Sequence, residues 1–253
     1  MFFATPDSKF LVKSLPRRFE YSFFQKDFLE PYCNYMREHP FSLLVRILDY
    51  LHTPQASLGK FLRLVPVHYI VMENALYGKG SDGQADKWET YDLKPLDYFY
   101  PERDLLGGAL ASETTLSQLA DKFEDKIRVT KEQFFDLKST LEADTEFLAR
   151  ANAVDYSLFV VRCPPSSTME SVASKTGAWR DGVTSRDGKW KYRVVLLDFF
   201  WAKHKFVPQA LTCMVKSFNV VAKKDSMSIT TTPEEYRKRF LRTVDDMMEV
   251  RDG

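Results

Sequence analysis

The stretch Tyr192-Arg-Val-Val-Leu-Leu-Asp-Phe-Phe-Trp201 decides how this chain is read. It is a strand apolar on both faces, with one carboxylate, Asp198, near its end. A lone ionised carboxylate in such a strand is costly unless it is paired or binds a metal. A second apolar strand, Tyr156-Ser-Leu-Phe-Val-Val161, lies upstream, immediately preceded by Asp155. The segment between them, roughly 163 to 191, is polar and holds two prolines and three glycines, so it reads as a loop. If the strands pair antiparallel across it, Asp155 and Asp198 meet at one edge of the sheet. Two carboxylates at a strand end suit a divalent metal and phosphoryl transfer. The bland alternative is that Asp155 turns the chain after a helix while Asp198 caps or forms an ion pair.

The composition sets the bounds. With 253 residues, 44% of them hydrophobic, the chain can bury a proper core as one domain or two closely packed lobes. A net charge of +1 gives no global reason to bind nucleic acid or a membrane. Three cysteines, Cys33, Cys163 and Cys213, are odd in number and far apart, which argues for a reducing compartment and against a disulfide framework or zinc site. No apolar run reaches the roughly 18 residues of a membrane span, and Met1 to Pro6 is too short for a signal peptide. The expectation is a cytoplasmic protein, peripheral in any membrane contact.

Along the chain, Lys9-Phe-Leu-Val-Lys-Ser-Leu15 is a short strand with Lys13 near its end. Glu20 to Glu38 reads as helix, with Pro31 forcing a kink or two pieces. Leu43 to Leu51, Leu64 to Glu73 and Trp88 to Lys94 are further strands. Two helices follow residue 112. The second opens with the capping box Thr130-Lys-Glu-Gln133, and its apolar row of Phe134, Leu137, Leu141 and Leu148 is interrupted at Asp144. A last helix starts at Thr232-Pro-Glu-Glu235, with Tyr236, Phe240, Val244 and Met247 or Met248 inward. The outline is α+β and two-lobed.

Several features carry candidate chemistry. Lys13 precedes a helix bearing Glu20 and Glu30, as in kinases that orient a phosphate-binding lysine with a helix glutamate. An edge lysine with a snorkelling side chain is the plainer reading. Gly78-Lys-Gly-Ser-Asp-Gly83 fits G-x-G-x-x-G literally, but a strand rather than a helix follows, so a turn is the default. From Phe199 to Lys224 there are five lysines and His204 without one acid, interleaved with aromatic and apolar residues. That segment suits an anionic membrane or a phosphorylated head group, or it is an ordinary solvated face. The four histidines, His39, His52, His68 and His204, have no ligand spacing.

Taken in order, these residues resemble the phosphatidylinositol phosphate kinases, whose atypical two-lobed fold is shared with the SAICAR synthase group. Asp7-Ser-Lys-Phe-Leu-Val-Lys13 is similar to the family strand ending in F-I-I-K. Tyr69-Ile-Val-Met-Glu-Asn-Ala-Leu76 looks like its hinge strand, and Tyr91-Asp-Leu-Lys94 like the start of D-L-K-G-S. Asp144-Thr-Glu-Phe-Leu148 and Val154-Asp-Tyr-Ser-Leu158 resemble D-x-x-F-L followed by M-D-Y-S-L-L. Leu196-Leu-Asp198 resembles I-I-D, and Pro233 to Leu241 the closing P-x-x-Y-x-x-R-F-L helix.

The resemblance implies an α+β kinase fold of antiparallel sheets and packed helices, with an N-terminal lobe to residue 77 and a C-terminal lobe over 78–253. It assigns Lys13 to the ATP phosphates and Met72, Glu73, Asn74 and Leu76 to the adenine-binding hinge. Asp155 takes the catalytic position with Asp92 and Lys94 beside it, and Asp198 takes Mg²⁺. The specificity loop falls at 199–232, with Lys203, Lys205 and Lys216 toward the substrate and membrane. The implied activity is Mg-ATP-dependent phosphorylation of a phosphoinositide at an anionic membrane surface, without nucleic acid, and compatible with a homodimer. The departures are specific. The family's G-x-S-G-S-like run lies ahead of F-F, whereas this sequence starts at Met1-Phe2-Phe3. D-L-K-G-S continues here as Pro95-Leu96, and the lysine pair of the specificity loop is Lys203-His204-Lys205. Pro208 falls inside that loop, where Ala210 and Thr212 compete for the head-group selector position. The alternative is therefore a catalytically weak or inactive relative that binds membranes or partners.

Overall fold

The structure is a computed structural model, and it describes residues 2–53, 66–81, 83–95, 123, 125–172, 177–202 and 232–250, with backbone only at 201 and 202. The first four-stranded sheet has the order β1-β2-β4-β3, formed by β1 (Phe2–Ala4), β2 (Phe10–Ser14), β3 (Ile47–His52) and β4 (His68–Glu73). The second has the order β5-β8-β10-β9, formed by β5 (Glu89–Leu93), β8 (Ser157–Cys163), β9 (Val183–Thr184) and β10 (Lys191–Leu197). Every pairing in these two sheets is antiparallel. The architecture is mixed α and β with antiparallel sheets, as expected from the sequence. Two short pairs complete it: β7 (Ala153–Val154) with β11 (Trp201–Ala202), and β6 (Ile127–Val129) in parallel with β12 (Met248–Val250). Among the described residues no helix is long and apolar enough to cross a membrane.

The expected break near Pro31 takes a definite form. α1 (Arg18–Phe23) runs into a π-helical turn, Phe24–Phe28, and then into α2 (Leu29–Glu38). The extra residue of the π turn brings Phe23, Phe24, Phe28 and Tyr32 all inside. Pro31 is the third residue of α2, directly after the π turn, so the break that its missing N–H calls for falls at that turn. α3 (Lys131–Arg150) is capped as its sequence predicts, with Gln133 N–H donating to Thr130 Oγ1 at 3.2 Å and Thr130 N–H to Gln133 Oε1 at 3.0 Å. The closing helix α5 (Pro233–Met247) begins with Glu235 N–H donating to Thr232 Oγ1 at 3.1 Å. It buries Tyr236, Phe240, Val244 and Met247, and Tyr236 donates its hydroxyl hydrogen to the Tyr156 carbonyl.

Two segments differ from their sequence reading. Residues 163 to 191 are not only loop, because they contain α4 (Ala178–Asp181) and β9, with Trp179 and Arg180 buried. The strand expected at Leu43 to Leu51 starts at Ile47, while Leu43 to Val45 lies against the second sheet, bridging in parallel at Leu44 and Leu196. Apolar content alone cannot distinguish these two placements, since both bury the segment.

One hydrophobic cluster runs through both four-stranded sheets and the helices. Its centre is aromatic: Phe28 packs within 5.2–6.3 Å of Phe23, Phe24, Tyr32, Phe147 and Phe199 by ring centroid. Deleting that ring leaves a cavity bordered by five others. Phe28→Ala is expected to lower unfolding free energy by about 3–5 kcal/mol in urea denaturation, whereas Phe135→Ala, on an exposed side of α3, shifts it by about 0.5 kcal/mol or less.

Candidate active site

The β8–β10 register pairs Ser157 with Leu197 and Cys163 with Lys191. Asp155 and Asp198 therefore flank the same end of the pair, as antiparallel pairing predicts. Both leave the sheet in the left-handed region, each with φ 64°. That conformation is uncommon for a non-glycine residue, though Asp tolerates it better than most, and such strain concentrates at functional sites.

Two lysines converge on these carboxylates from neighbouring strands. β5 pairs with β8 so that Leu93 faces Leu158, which brings Lys94 to the Asp155 turn. Lys94 Nζ donates to Asp155 Oδ1 at 3.0 Å and to the Asp155 carbonyl at 2.8 Å. Lys13 reaches over from the first sheet and forms an ion pair with Asp198 Oδ1. Its ammonium lies 5.2 Å from the centroids of both the Phe2 and Phe200 rings, so aromatic faces flank it.

Burial pushes the Asp155 carboxyl above its ordinary pKa, the ammonium of Lys94 opposes that shift, and the charges of Asp198 and Asp92 add to it. Glu20 joins the same field. Burial raises its pKa, while its carboxylate accepts from the Arg17 amide at 3.2 Å and feels both Lys13 and Asp198. The helix glutamate is thus near Lys13, although the direct partner of Lys13 is Asp198. Among the described residues Lys94 and Lys13 pair with Asp155 and Asp198, and Arg17 pairs with Glu20 at 3.7 Å. Among the described residues no three His, Cys, Asp or Glu side chains form a metal cage by themselves. Asp198 is the carboxylate that would hold a Mg²⁺ ion, with phosphates and water as the hard oxygen ligands that such an ion would also need.

The residues expected at the hinge are tied into the fold. Met72 is buried in β4, and the Glu73 carboxylate pairs with Arg180 and accepts from the Arg46 amide at 2.9 Å. Asn74 donates its side-chain amide to the Ser8 carbonyl at 2.8 Å and accepts from the Leu76 N–H at 3.0 Å. Asp92 lies on β5 opposite Phe159, close enough for Asp155 to feel its charge. Lys203, Lys205 and Lys216 lie outside the described residues. The glycine run is a succession of turns in which the amides of Lys79, Ser81 and Gly83 donate to the carbonyls of Leu76, Gly78 and Gly80, so those donors are not available to a phosphate.

Arg180 and Arg193 are not among the residues that the sequence singles out. Both lie in or beside a segment of loop composition, yet both are buried. Arg193 donates to the carbonyls of Arg180 at 2.6 Å, Ala75 at 2.8 Å and Glu170 at 2.8 Å. A cue exists only in hindsight, in the spacing of Arg193 among the apolar residues of β10.

Replacing Lys94 removes the nearest positive charge from a buried carboxyl. In Lys94→Met the Asp155 titration, followed by carboxyl carbon NMR, is expected to move to higher pH than in the unmodified protein. A downward or absent shift means that Lys94 does not control the ionisation of Asp155.

Comparison with known proteins bears on this geometry. The family model described as Phosphatidylinositol-4-phosphate 5-Kinase matches residues 1–177. A human protein, Phosphatidylinositol 4-phosphate 5-kinase-like protein 1, is 28% identical over 160 residues, covering 63% of this chain and 36% of that relative. The match thus spans little more than a third of the human protein. The matched residues include β2 with Lys13, β4, Lys94 and the Asp155 turn, whereas β10 and Asp198 lie beyond them. The chain belongs to the phosphatidylinositol-4-phosphate 5-kinase family.

Proposed function

We propose that this chain transfers the γ-phosphoryl group of Mg-ATP to a hydroxyl of a phosphoinositide head group at an anionic membrane surface. The observation that carries the reading is the meeting of two lysine–aspartate pairs, Lys94 with Asp155 and Lys13 with Asp198, at one sheet end where both aspartates are left-handed. In this reading residues to about 77 form the N-terminal lobe and the remainder the C-terminal lobe, with the nucleotide between them.

The strand registers suit the length of a nucleotide. Lys13 faces Ile70 while Phe10 faces Glu73, so the hinge end lies three residues, about 10 Å, along the sheet from the lysine. That is the span needed to hold adenine near Met72 to Leu76 and the phosphates at Lys13. Asp155 accepts the proton of the inositol hydroxyl as its oxygen bonds to the γ-phosphorus, and the bond to the β–γ bridging oxygen breaks to release ADP. Lys94 opposes the rise in the Asp155 pKa that burial causes and so favours the ionised base, while the charges of Asp198 and Asp92 add to that rise. Mg²⁺, when held by Asp198 and the phosphates, would neutralise charge developing on the transferred group. The rest is positioning, which is most of phosphoryl-transfer catalysis.

A second reading, a catalytically weak or inactive relative that serves as a membrane- or partner-binding module, is favoured by the hinge, where the Glu73 and Asn74 side chains are already engaged. Nucleotide binding separates the two. With Mg-ATP at about a hundred times its dissociation constant, melting is expected to rise by roughly 5 °C or more, and Asp198→Asn is expected to abolish that rise. No shift at millimolar nucleotide would sink the kinase reading.

The basic segment supplies the membrane contact in this proposal. Lys203→Glu, Lys205→Glu and Lys216→Glu together reverse three charges beside an anionic surface, each lysine being worth about 1 kcal/mol there. Sedimentation with vesicles containing phosphatidylserine and phosphatidylinositol 4-phosphate is expected to fall to near background. Unchanged binding rules out the assigned membrane role of this segment.

A further inference from the structure

Residues Ser42 to Arg46 connect α2 to β3, and all but Arg46 are buried. The backbone groups of this strap are satisfied by parts of the fold far apart in sequence. Leu43 N–H donates to Asp144 Oδ2 at 2.6 Å, and the Leu43 carbonyl accepts from Leu196 N–H at 2.7 Å. Val45 N–H donates to the Leu196 carbonyl at 2.9 Å, while the Val45 carbonyl accepts from the Tyr32 hydroxyl at 2.8 Å. Arg180 donates to the carbonyls of Ser42, at 2.7 Å, and Leu44, and also pairs with Glu73. Arg46 exchanges backbone and side-chain bonds with Glu73, both at 2.9 Å.

The strap thus forms a parallel bridge to the end of β10, two residues before Asp198. It also carries the chain into the sheet that holds Lys13. Asp144 is fully buried and holds the strap from α3, with its other oxygen accepting from the Tyr35 hydroxyl at 2.7 Å. Among the described residues, Asp144 and Arg180 bond to the strap, Tyr35 and Glu73 and not to Lys13, Lys94, Asp155 or Asp198.

We propose that Asp144 and Arg180 are positioning residues that act through the strap, fixing Leu196, and with it Asp198, relative to Lys13. Leu196 has both its N–H and its carbonyl taken by the strap, so it cannot shift without breaking those bonds. Asp198 follows two peptide units later in a left-handed conformation that leaves little freedom to compensate. An interruption of the helix apolar row that looks like a defect is, on this account, the anchor that sets the spacing between metal carboxylate and phosphate lysine. The catalytic part of this inference rests on the phosphoryl-transfer reading above, while the mechanical part does not.

The test uses the full chain and three variants. Asp144→Ala removes the Leu43 acceptor. Asp144→Asn keeps an oxygen for Leu43 N–H and presents an amide to the Tyr35 hydroxyl. Arg180→Lys keeps the charge beside Glu73 but loses the planar fork that reaches two carbonyls at once. In Asp144→Ala, hydrogen exchange at the Val45 and Leu196 amides is expected to accelerate about tenfold or more, with α5 unchanged. The kcat for ATP-dependent phosphorylation of phosphatidylinositol 4-phosphate vesicles should fall about tenfold or more, with KM for ATP nearly constant, as expected for misplacement by a fraction of an ångström. Asp144→Asn should restore both readouts. If Asp144→Ala does not fold, Arg180→Lys is expected to show the same pattern in milder form. Faster exchange confined to the strap, with Leu196 unaffected, overturns the proposal, as does Asp144→Asn failing as badly as alanine. Should the unmodified protein transfer no phosphate, the functional reading fails, and the exchange at Leu196 still decides whether the strap positions β10.

Discussion

Antiparallel pairing of β8 with β10 is the constraint from which the site follows. Seven consecutive residue pairs, from Lys191 with Cys163 to Leu197 with Ser157, fix which residues emerge together at the strand ends. A slip of one residue would exchange the two faces of a strand, and because both faces are packed, each side chain would enter a space shaped for its neighbour. The register is therefore held by the core, and the site inherits its geometry without needing stability of its own. β5 extends the same logic, since its pairing with β8 delivers Lys94 to Asp155.

Around that sheet end the fold manages charge by opposing burial with lysine. Asp155 is pushed toward its neutral form by burial and by Asp198 and Asp92, and Lys94 offsets this. Deeper in, charges serve architecture. Asp144 is also pushed up by burial, against the pull of hydrogen bonds from Tyr35, Ser42 and Leu43. Glu73 and Arg180 form a buried pair whose remaining polar capacity is filled by the Arg46 amide and two strap carbonyls. Buried ion pairs of this kind contribute little net stability but strongly penalise alternative arrangements once formed. Here they connect both four-stranded sheets to a single strap, which makes relative placement of the sheets a matter of hydrogen-bond register.

The helices show how far local rules carry. The Thr130–Gln133 box and the Thr232 cap form as their residues dictate, because capping is satisfied within four residues. Pro31 signals a break but not its form, which is a π turn at Phe24–Phe28 across which Phe23, Phe24, Phe28 and Tyr32 are all buried. Leu43 to Val45 reads as strand from its composition and is buried like one, but its partners come from α3, α4 and β10. Arg180 sits in a stretch of loop composition, and only tertiary packing turns it into a core residue.

By itself the sequence determined the apolar strands, the helix caps and the convergence of Asp155 with Asp198, together with the family to which those motifs belong. Each of these rests on short-range pattern or on pairing between neighbouring strands of strong apolar character. Only the tertiary structure decided that Lys13 pairs with Asp198 instead of Glu20, and that Glu73 faces Arg180. It alone gave the vacant place at Asp144 a partner in the Leu43 amide. These contacts join residues about a hundred or more positions apart, and local pattern cannot specify which buried charge meets which.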